Sequence, residues 1–220
     1  MFNQHYIIID DFYHDPDHIR HMALSMPTVD LEANYAGVMT TEAFATENHK
    51  AVFEHLTGDS DLMPGTKLSG KFRFTLATDQ YRQHIHFDPG PGQIWAGVVY
   101  LSLPRDYETI QTADHSCGTK FWLHNRTGLQ SFPLTKAAQT QHGWPDFDAM
   151  KNFLDTEGLD ESLWTLTLDV PMRYNRLVLF RPWMFHSPGA FFGDCRENCR
   201  LIQTFFLSTA NAAFAAIDDQ

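Results

Sequence analysis

The chain of 220 residues can bury a full core as one domain, and its 43% hydrophobic and 14% aromatic content describes a folded protein, not a disordered one. A formal net charge of −11, with histidines counted neutral, gives long-range attraction of the wrong sign for a nucleic-acid backbone, so no nucleic-acid partner is expected. No apolar run is long enough to span a bilayer, the start Met1–His5 lacks a secretory pattern, and three cysteines make an odd count that argues against a disulfide framework; the expectation is a reducing cytoplasm and no membrane partner.

Tyr6–Asp10 reads as a short strand. Asp15 then has the character of a helix N-cap with Pro16 at the first helical position; Ile19, Met22, Ala23 and Met26 follow at helical spacing, and the helix ends before Pro27. A second helix is expected over Glu47–Leu56, burying Val52, Phe53 and Leu56 and closed by Gly58. From Leu68 the texture changes to short β-rich runs at 71–77, 83–88, 94–103, 119–125, 164–170, 176–181 and 200–208. That rhythm predicts a jelly roll or similar double-sheet barrel. One domain over 1–220 follows: an N-terminal strand and helices (1–67), a β core (68–208) and a tail (209–220). Ala210–Gln220 reads as a loose helix or a frayed end. Within the core, Ser131–Ser162 is polar and partly helical (Phe147, Met150, Phe153, Leu154), a candidate lid or substrate wall, with a decorative surface helix as the alternative. Cys195 and Cys199 form a Cys-x3-Cys pair, but without a second pair they read as ordinary thiols.

The densest chemistry lies in Gln83-His-Ile-His-Phe-Asp-Pro89. On a strand, side chains alternate, so His84, His86 and Asp88 would project to one side, and Pro89 biases Asp88 toward extended geometry. A row of two imidazoles and a carboxylate in an apolar sheet is costly without a partner, and a divalent metal is the simplest one. An iron(II) ion that must also bind an organic co-substrate and dioxygen needs few protein ligands; two His and one carboxylate suffice. His86 and Asp88 offer two, and a distant His should be the third. His186 qualifies, since it follows the apolar strand Arg176–Phe180. His5, His14, His18, His21, His49, His55 and His142 read as surface residues or satisfied core groups. The aromatics Trp95, Trp122, Trp183, Phe185, Phe191 and Phe192 read as core or pocket lining.

Taken in order, His86-Phe-Asp88, Val98-Val-Tyr-Leu-Ser102, Gly118-Thr-Lys-Phe-Trp122, His186 and Arg200-Leu-Ile-Gln-Thr-Phe-Phe206, with the opening Ile9–Arg20, resemble the landmarks of the iron(II)/2-oxoglutarate-dependent dioxygenases, most closely the prolyl-hydroxylase-like branch. The resemblance covers most of 6–207; the insert 131–162 has no counterpart in it. It implies a mainly β (α+β) fold, a double-stranded β-helix with the N-terminal helices packed on one sheet. His86, Asp88 and His186 would be iron ligands. Arg200 would bind the distal carboxylate of 2-oxoglutarate, Tyr100 would donate to the same carboxylate, and Thr204, on the face of Arg200, Ile202 and Phe206, would also approach the co-substrate.

The implied cofactors are Fe(II), 2-oxoglutarate as co-substrate, and O2. The implied reaction is hydroxylation of an unactivated C–H bond of a small molecule or amino-acid-type substrate, with release of succinate and CO2; the presence of Asp88 favours it over halogenation. The spacing from His186 to Arg200 is longer than that branch usually shows, which leaves Arg196, in the polar loop between them, as a rival for the carboxylate. His84 stays open as a third imidazole ligand of a cupin-like site or as a group supporting the ligands or facing substrate. A cupin-like metalloenzyme using His84, His86 and His186 without 2-oxoglutarate, and a non-catalytic barrel, are the alternatives.

Overall fold

In a computed structural model of the protein, residues 5–30, 36–80, 84–88, 90, 92–112 and 116–209 are described. The elements in chain order are β1 (Tyr6–Ile9), α1 (Pro16–Ser25), β2 (Thr28–Val29), β3 (Val38–Thr40), α2 (Glu47–Thr57), β4 (Leu62–Pro64), β5 (Phe72–Thr75), β6 (Gln93–Tyr100), α3 (Pro104–Tyr107), β7 (Thr119–His124), α4 (Lys136–Gln141), α5 (Phe147–Thr156), β8 (Trp164–Val170), β9 (Leu177–Phe180), β10 (His186–Pro188) and β11 (Arg200–Thr209). They form two antiparallel sheets. The larger runs β1-β9-β6-β11-β5-β3-β2, with β4 also on β11; the smaller is β10-β7-β8. Among the described residues neither sheet closes into a barrel. No described helix is long and apolar enough to cross a membrane.

Strand alternation sorts the larger sheet into two faces. Trp95, Val99 and Leu101, Leu177 and Leu179, and Leu201, Phe205 and Leu207 join Ile19 and Ala23 of α1 and Phe53 of α2 in one core. The other face gives Ala96 and Tyr100, Val178 and Phe180, and Ile202 and Phe206 to a second core with Phe121 and Val170 of the smaller sheet. Helices therefore cover one side of the larger sheet and the smaller sheet covers the other.

Local chemistry explains the helix ends. The Asp15 side chain accepts from the His18 N–H at 3.0 Å, with Pro16 opening α1. Thr46 and His49 form a capping box on α2, and Gly58 ends that helix in the left-handed region (φ 72°), where a side chain would be strained. The helix is correctly anticipated, but Val52 is exposed and Leu56 only half-buried, so Phe53 carries the contact. The insert folds as α4, α5 and two 3-10 turns (Glu157–Leu159 and Glu161–Leu163). Its Trp144, Met150, Phe153 and Leu154 pack with Ile85, Phe87, Trp122, Trp164 and Phe185 in a third core, whereas Phe147 points to solvent.

The run 83–88 is not the strand that its alternation suggests. Its described part, 84–88, holds one isolated bridge, His86 with His186. Gln83, Pro89 and the tail Ala210–Gln220 lie outside the described residues.

Candidate metal centre

Three different neighbours hold the 84–88 segment in place of a sheet ladder. Ile85 N–H donates to the Gly158 carbonyl of the insert at 2.8 Å, and Asp88 N–H donates to Pro182 O at 2.7 Å. Between them His86 and His186 exchange backbone hydrogen bonds of 2.9 and 2.8 Å. Gly158 has to be glycine, because a Cβ there would sit 2.5 Å from the Ile85 carbonyl oxygen.

That scaffold brings His86, Asp88 and His186 together, with one ligand atom from each lying within 4.8 Å of the others. Asp88 Oδ1 is 3.9 Å from His86 Nε2, and Oδ2 is 3.4 Å from His186 Nε2. Each imidazole places Nδ1 2.9 Å from the carbonyl two residues earlier, His84 O for His86 and Met184 O for His186. A carbonyl can only accept, so each Nδ1 donates to it, and each Nε2 is left facing the carboxylate. Burial, helped by His186, lowers the pKa of His86 to about 4. For Asp88 burial pushes upward, but the two imidazoles and Arg73 outweigh it and hold the carboxyl below its ordinary range. Two imidazole nitrogens and a carboxylate on a mostly buried face fit a divalent transition metal and leave room for other ligands on the cavity side.

His84 does not join the group. Its Nδ1 is 3.1 Å from Glu161 Oε1 of the insert, and its carbonyl orients His86. The same-face expectation fails because the segment is not a regular strand.

The adjoining cavity is lined by His86, Asp88, His186, Arg73, Arg200 and Thr204, together with hydroxyl and apolar groups. Alternation on β11 holds: Arg200, Ile202, Thr204 and Phe206 all line it. Arg200 is 3% exposed and donates from Nε to Cys117 O (3.1 Å) and from Nη2 to Gly118 O (3.0 Å). Burial lowers its pKa from the ordinary arginine value. The Thr204 hydroxyl shares its one proton between the carbonyls of Leu68 and Lys71, 3.0 and 3.2 Å away. Tyr100 is fully buried, with its hydroxyl 2.6 Å from Thr119 Oγ1 and its ring 5.9 Å from the Arg200 guanidinium carbon. Burial pushes its hydroxyl up to about 12. Thr119 rather than Tyr100 is the lining member of that pair.

Arg196 lies elsewhere: its Nη2 donates to Ala23 O and Met26 O at the end of α1, and its guanidinium stacks on Phe74 at 4.2 Å. Arg73 is a cavity residue that sequence reasoning passed over. Its signal is the alternation in Phe72-Arg-Phe-Thr75, which turns both aromatics to the helix-covered core and leaves Arg73 and Thr75 on the cavity face.

Among solved structures, the chain is similar to HygX from Streptomyces hygroscopicus with nickel and 2-oxoglutarate bound, at 13% identity and a TM-score of 0.43, covering 94% of this chain and 84% of that one. A second HygX structure, with nickel, 2-oxoglutarate and hygromycin B bound, gives 14% identity and a TM-score of 0.42 over 94% and 83% of the two chains. No curated protein matches the chain. A family model does match over residues 2–190, a span that includes His86, Asp88 and His186, and the chain belongs to that family, DUF6445, a family of unknown function.

Proposed function

We propose that this protein is a non-haem iron(II)/2-oxoglutarate-dependent oxygenase that hydroxylates an unactivated C–H bond of a small-molecule or amino-acid-type substrate, releasing succinate and CO2. The observation that carries the reading is the convergence of His86, Asp88 and His186, with Nε2 of both rings turned inward, on a cavity that also holds Arg200. A set of two imidazoles and one carboxylate suits iron(II) that must keep positions open. Bound there, iron with 2-oxoglutarate and O2 would supply the oxidising chemistry, which belongs to the cofactor and not to the fold. The two sheets are read as a double-stranded β-helix around the site.

The chain's own residues bind, orient and exclude. His84 O and Met184 O accept from Nδ1 of His86 and His186, which orients both rings and turns each Nε2 toward the place of the metal. Arg200, buried and braced on two carbonyls, presents a planar guanidinium suited to the distal carboxylate of 2-oxoglutarate. Tyr100 acts through Thr119 and through its ring beside Arg200, and the Thr204 oxygen remains able to accept a hydrogen bond. Ala96, Val98, Phe180, Ile202 and Phe206 give the cavity apolar walls that limit water. The three free cysteines, two of them buried, suit the reducing cytoplasm.

The test is an anaerobic titration with Fe(II) and 2-oxoglutarate, followed by the weak visible metal-to-ligand absorption. Wild-type protein should develop the band and consume 2-oxoglutarate once air is admitted; His86→Ala should do neither. Arg200→Ala should bind iron normally but require about 10–100-fold more 2-oxoglutarate, the worth of charge-assisted hydrogen bonds. Identical spectra from wild type and His86→Ala, with no turnover of 2-oxoglutarate, contradict the assignment.

A further inference from the structure

Each metal-binding histidine follows a fully buried apolar residue of the third core, Ile85 before His86 and Phe185 before His186. Both of these residues are tied by their backbone to the connection between β7 and β8. Ile85 N–H donates to Gly158 O at 2.8 Å, and Phe185 N–H donates to Gln130 O at 3.0 Å. One connection therefore holds both ligand-bearing segments, in each case one residue ahead of the histidine.

His124, the last residue of β7, joins the two stretches that carry those carbonyls. It is 0% exposed, with its ring 4.6 Å from that of Trp164 and 5.2 Å from that of Phe153. Its Nδ1 is 3.0 Å from Thr127 Oγ1, in the turn that leads on to Gln130. Its Nε2 is 2.7 Å from Oε2 of Glu157, the residue before Gly158; a carboxylate oxygen accepts, so Nε2 is the donor. The backbone reinforces the first tie, since His124 N–H donates to Leu129 O and Gly128 N–H to His124 O, both at 2.8 Å. Glu157 is fixed from two further sides: Arg126 Nη2 donates to its Oε1 at 2.9 Å, and Trp164 Nε1 donates to its carbonyl at 2.8 Å. An apolar ring would fill the space between Trp164 and Phe153 without needing partners. What the imidazole adds is a directional, charge-assisted bond away from water, which fixes a spacing that packing alone leaves loose.

We propose that His124 and Glu157 are positioning residues of the metal centre. The pair locks the turn after β7 to the turn at Glu157–Leu159, so that Gln130 O and Gly158 O hold His186 and His86 at the spacing the metal requires. Neither residue touches the metal; both act through the backbone of the segments that carry its ligands. The inference rests on the oxygenase reading in taking His86, Asp88 and His186 as those ligands, and it gives the insert a task at that site.

The test uses Co(II) as the probe, with affinity read by calorimetry and ligand geometry read from the visible d–d absorption. His124→Phe keeps the ring packing and removes both nitrogens. It should bind Co(II) about tenfold more weakly, with a shifted d–d band. Glu157→Leu should do the same, whereas Glu157→Gln keeps an oxygen to accept from Nε2 and should stay within about threefold of wild type, with the wild-type band. The double variant His124→Phe/Gly158→Ala should lose less affinity than the product of the two single losses, because both changes act on one carbonyl. Should His124→Phe fail to fold, the contrast of Glu157→Leu with Glu157→Gln carries the test, since that side chain is partly exposed. The proposal is overturned if the folded variants keep wild-type affinity and band, however far their unfolding midpoints fall, or if Glu157→Gln is no better than Glu157→Leu. Wild-type protein that binds no Co(II) overturns it together with the metal centre. Wild-type protein that binds Co(II) but, loaded with iron, never consumes 2-oxoglutarate sinks the oxygenase reading alone, because the Co(II) spectra still decide the role of His124 and Glu157.

Discussion

On its helix-covered side β11 presents Leu201, Phe205 and Leu207; on its other side the same strand presents Arg200, Thr204 and Phe206. All six are buried. The first set is held by packing, with the Phe205 ring 4.8 Å from that of Phe53. In the second, Arg200 donates two hydrogen bonds to backbone carbonyls and Thr204 shares one hydroxyl proton between two more, while Phe206 packs in the second core. Burying a guanidinium costs far more than burying a leucine, and the Nε and Nη2 hydrogen bonds of Arg200 offset part of that cost. One face therefore supports the fold and the other supports the site, and substitutions should separate them.

The largest expected effect is on the site side. Asp88→Ala leaves two imidazoles without a charge between them, and divalent metal affinity measured by calorimetry should fall by well over the ~10–100-fold typical of losing a supporting group. Its unfolding midpoint in metal-free protein should stay close to wild type. The converse variant is Phe205→Ala, a truncation at a residue 1% exposed, which should cost about 3–5 kcal/mol in urea unfolding while metal affinity of the folded fraction is kept. If Phe205→Ala abolished metal binding in folded protein, the two faces would not be separable.

Gly158→Ala probes the join between insert and site. Its Cβ would press on the Ile85 carbonyl and displace the segment that carries His86 and Asp88. We expect about tenfold weaker metal binding with little change in the unfolding of the larger sheet. Unchanged affinity would mean that the insert does not hold the ligands.

The smallest effect returns to the helix side. His49 Nδ1 accepts from Thr46 N–H, so its Nε2 carries the proton and donates to Tyr13 Oη, which in turn donates to Gln203 Oε1. Burial lowers the pKa of His49, so the unfolded chain takes up the proton first as pH drops below the ordinary value of 6.5. Stability should therefore decline from pH 6.5 downward, and less so in His49→Gln. A urea series between pH 7 and 5 reads this directly, and equal slopes in the two proteins would count against the chain of hydrogen bonds.

These contrasts also mark what the sequence could convey. Periodicity located β1, β5 to β9 and β11, the start of α1 and the end of α2, because those signals are local: Asp15 before Pro16, Gly58 after α2, alternation along 200–206; the short strands β2, β3, β4 and β10 carry no such signal. The order of His86, Asp88 and His186 was legible because chemistry limits which side chains share a buried metal. The conformation of 84–88 was not legible. Its backbone partners come from three distant places, Gly158, Pro182 and His186, and no local pattern records them. For that reason alternation misplaced His84, which turns to Glu161. The burial expected of Val52 failed for a related reason, since helical spacing does not say which edge of a helix the core will cover. Arg73 was within reach, because Phe72-Arg-Phe-Thr75 already places it opposite the aromatics.

Crystals grown with Mn(II) and 2-oxoglutarate offer the most direct measurement, an anomalous-difference map phased on the protein. The account predicts one strong peak bonded to His86 Nε2, His186 Nε2 and a carboxylate oxygen of Asp88 at about 2.0–2.2 Å, with the remaining coordination facing Arg200. A peak that lacks His186, that recruits His84 as a ligand, or that lies outside this cavity would contradict it.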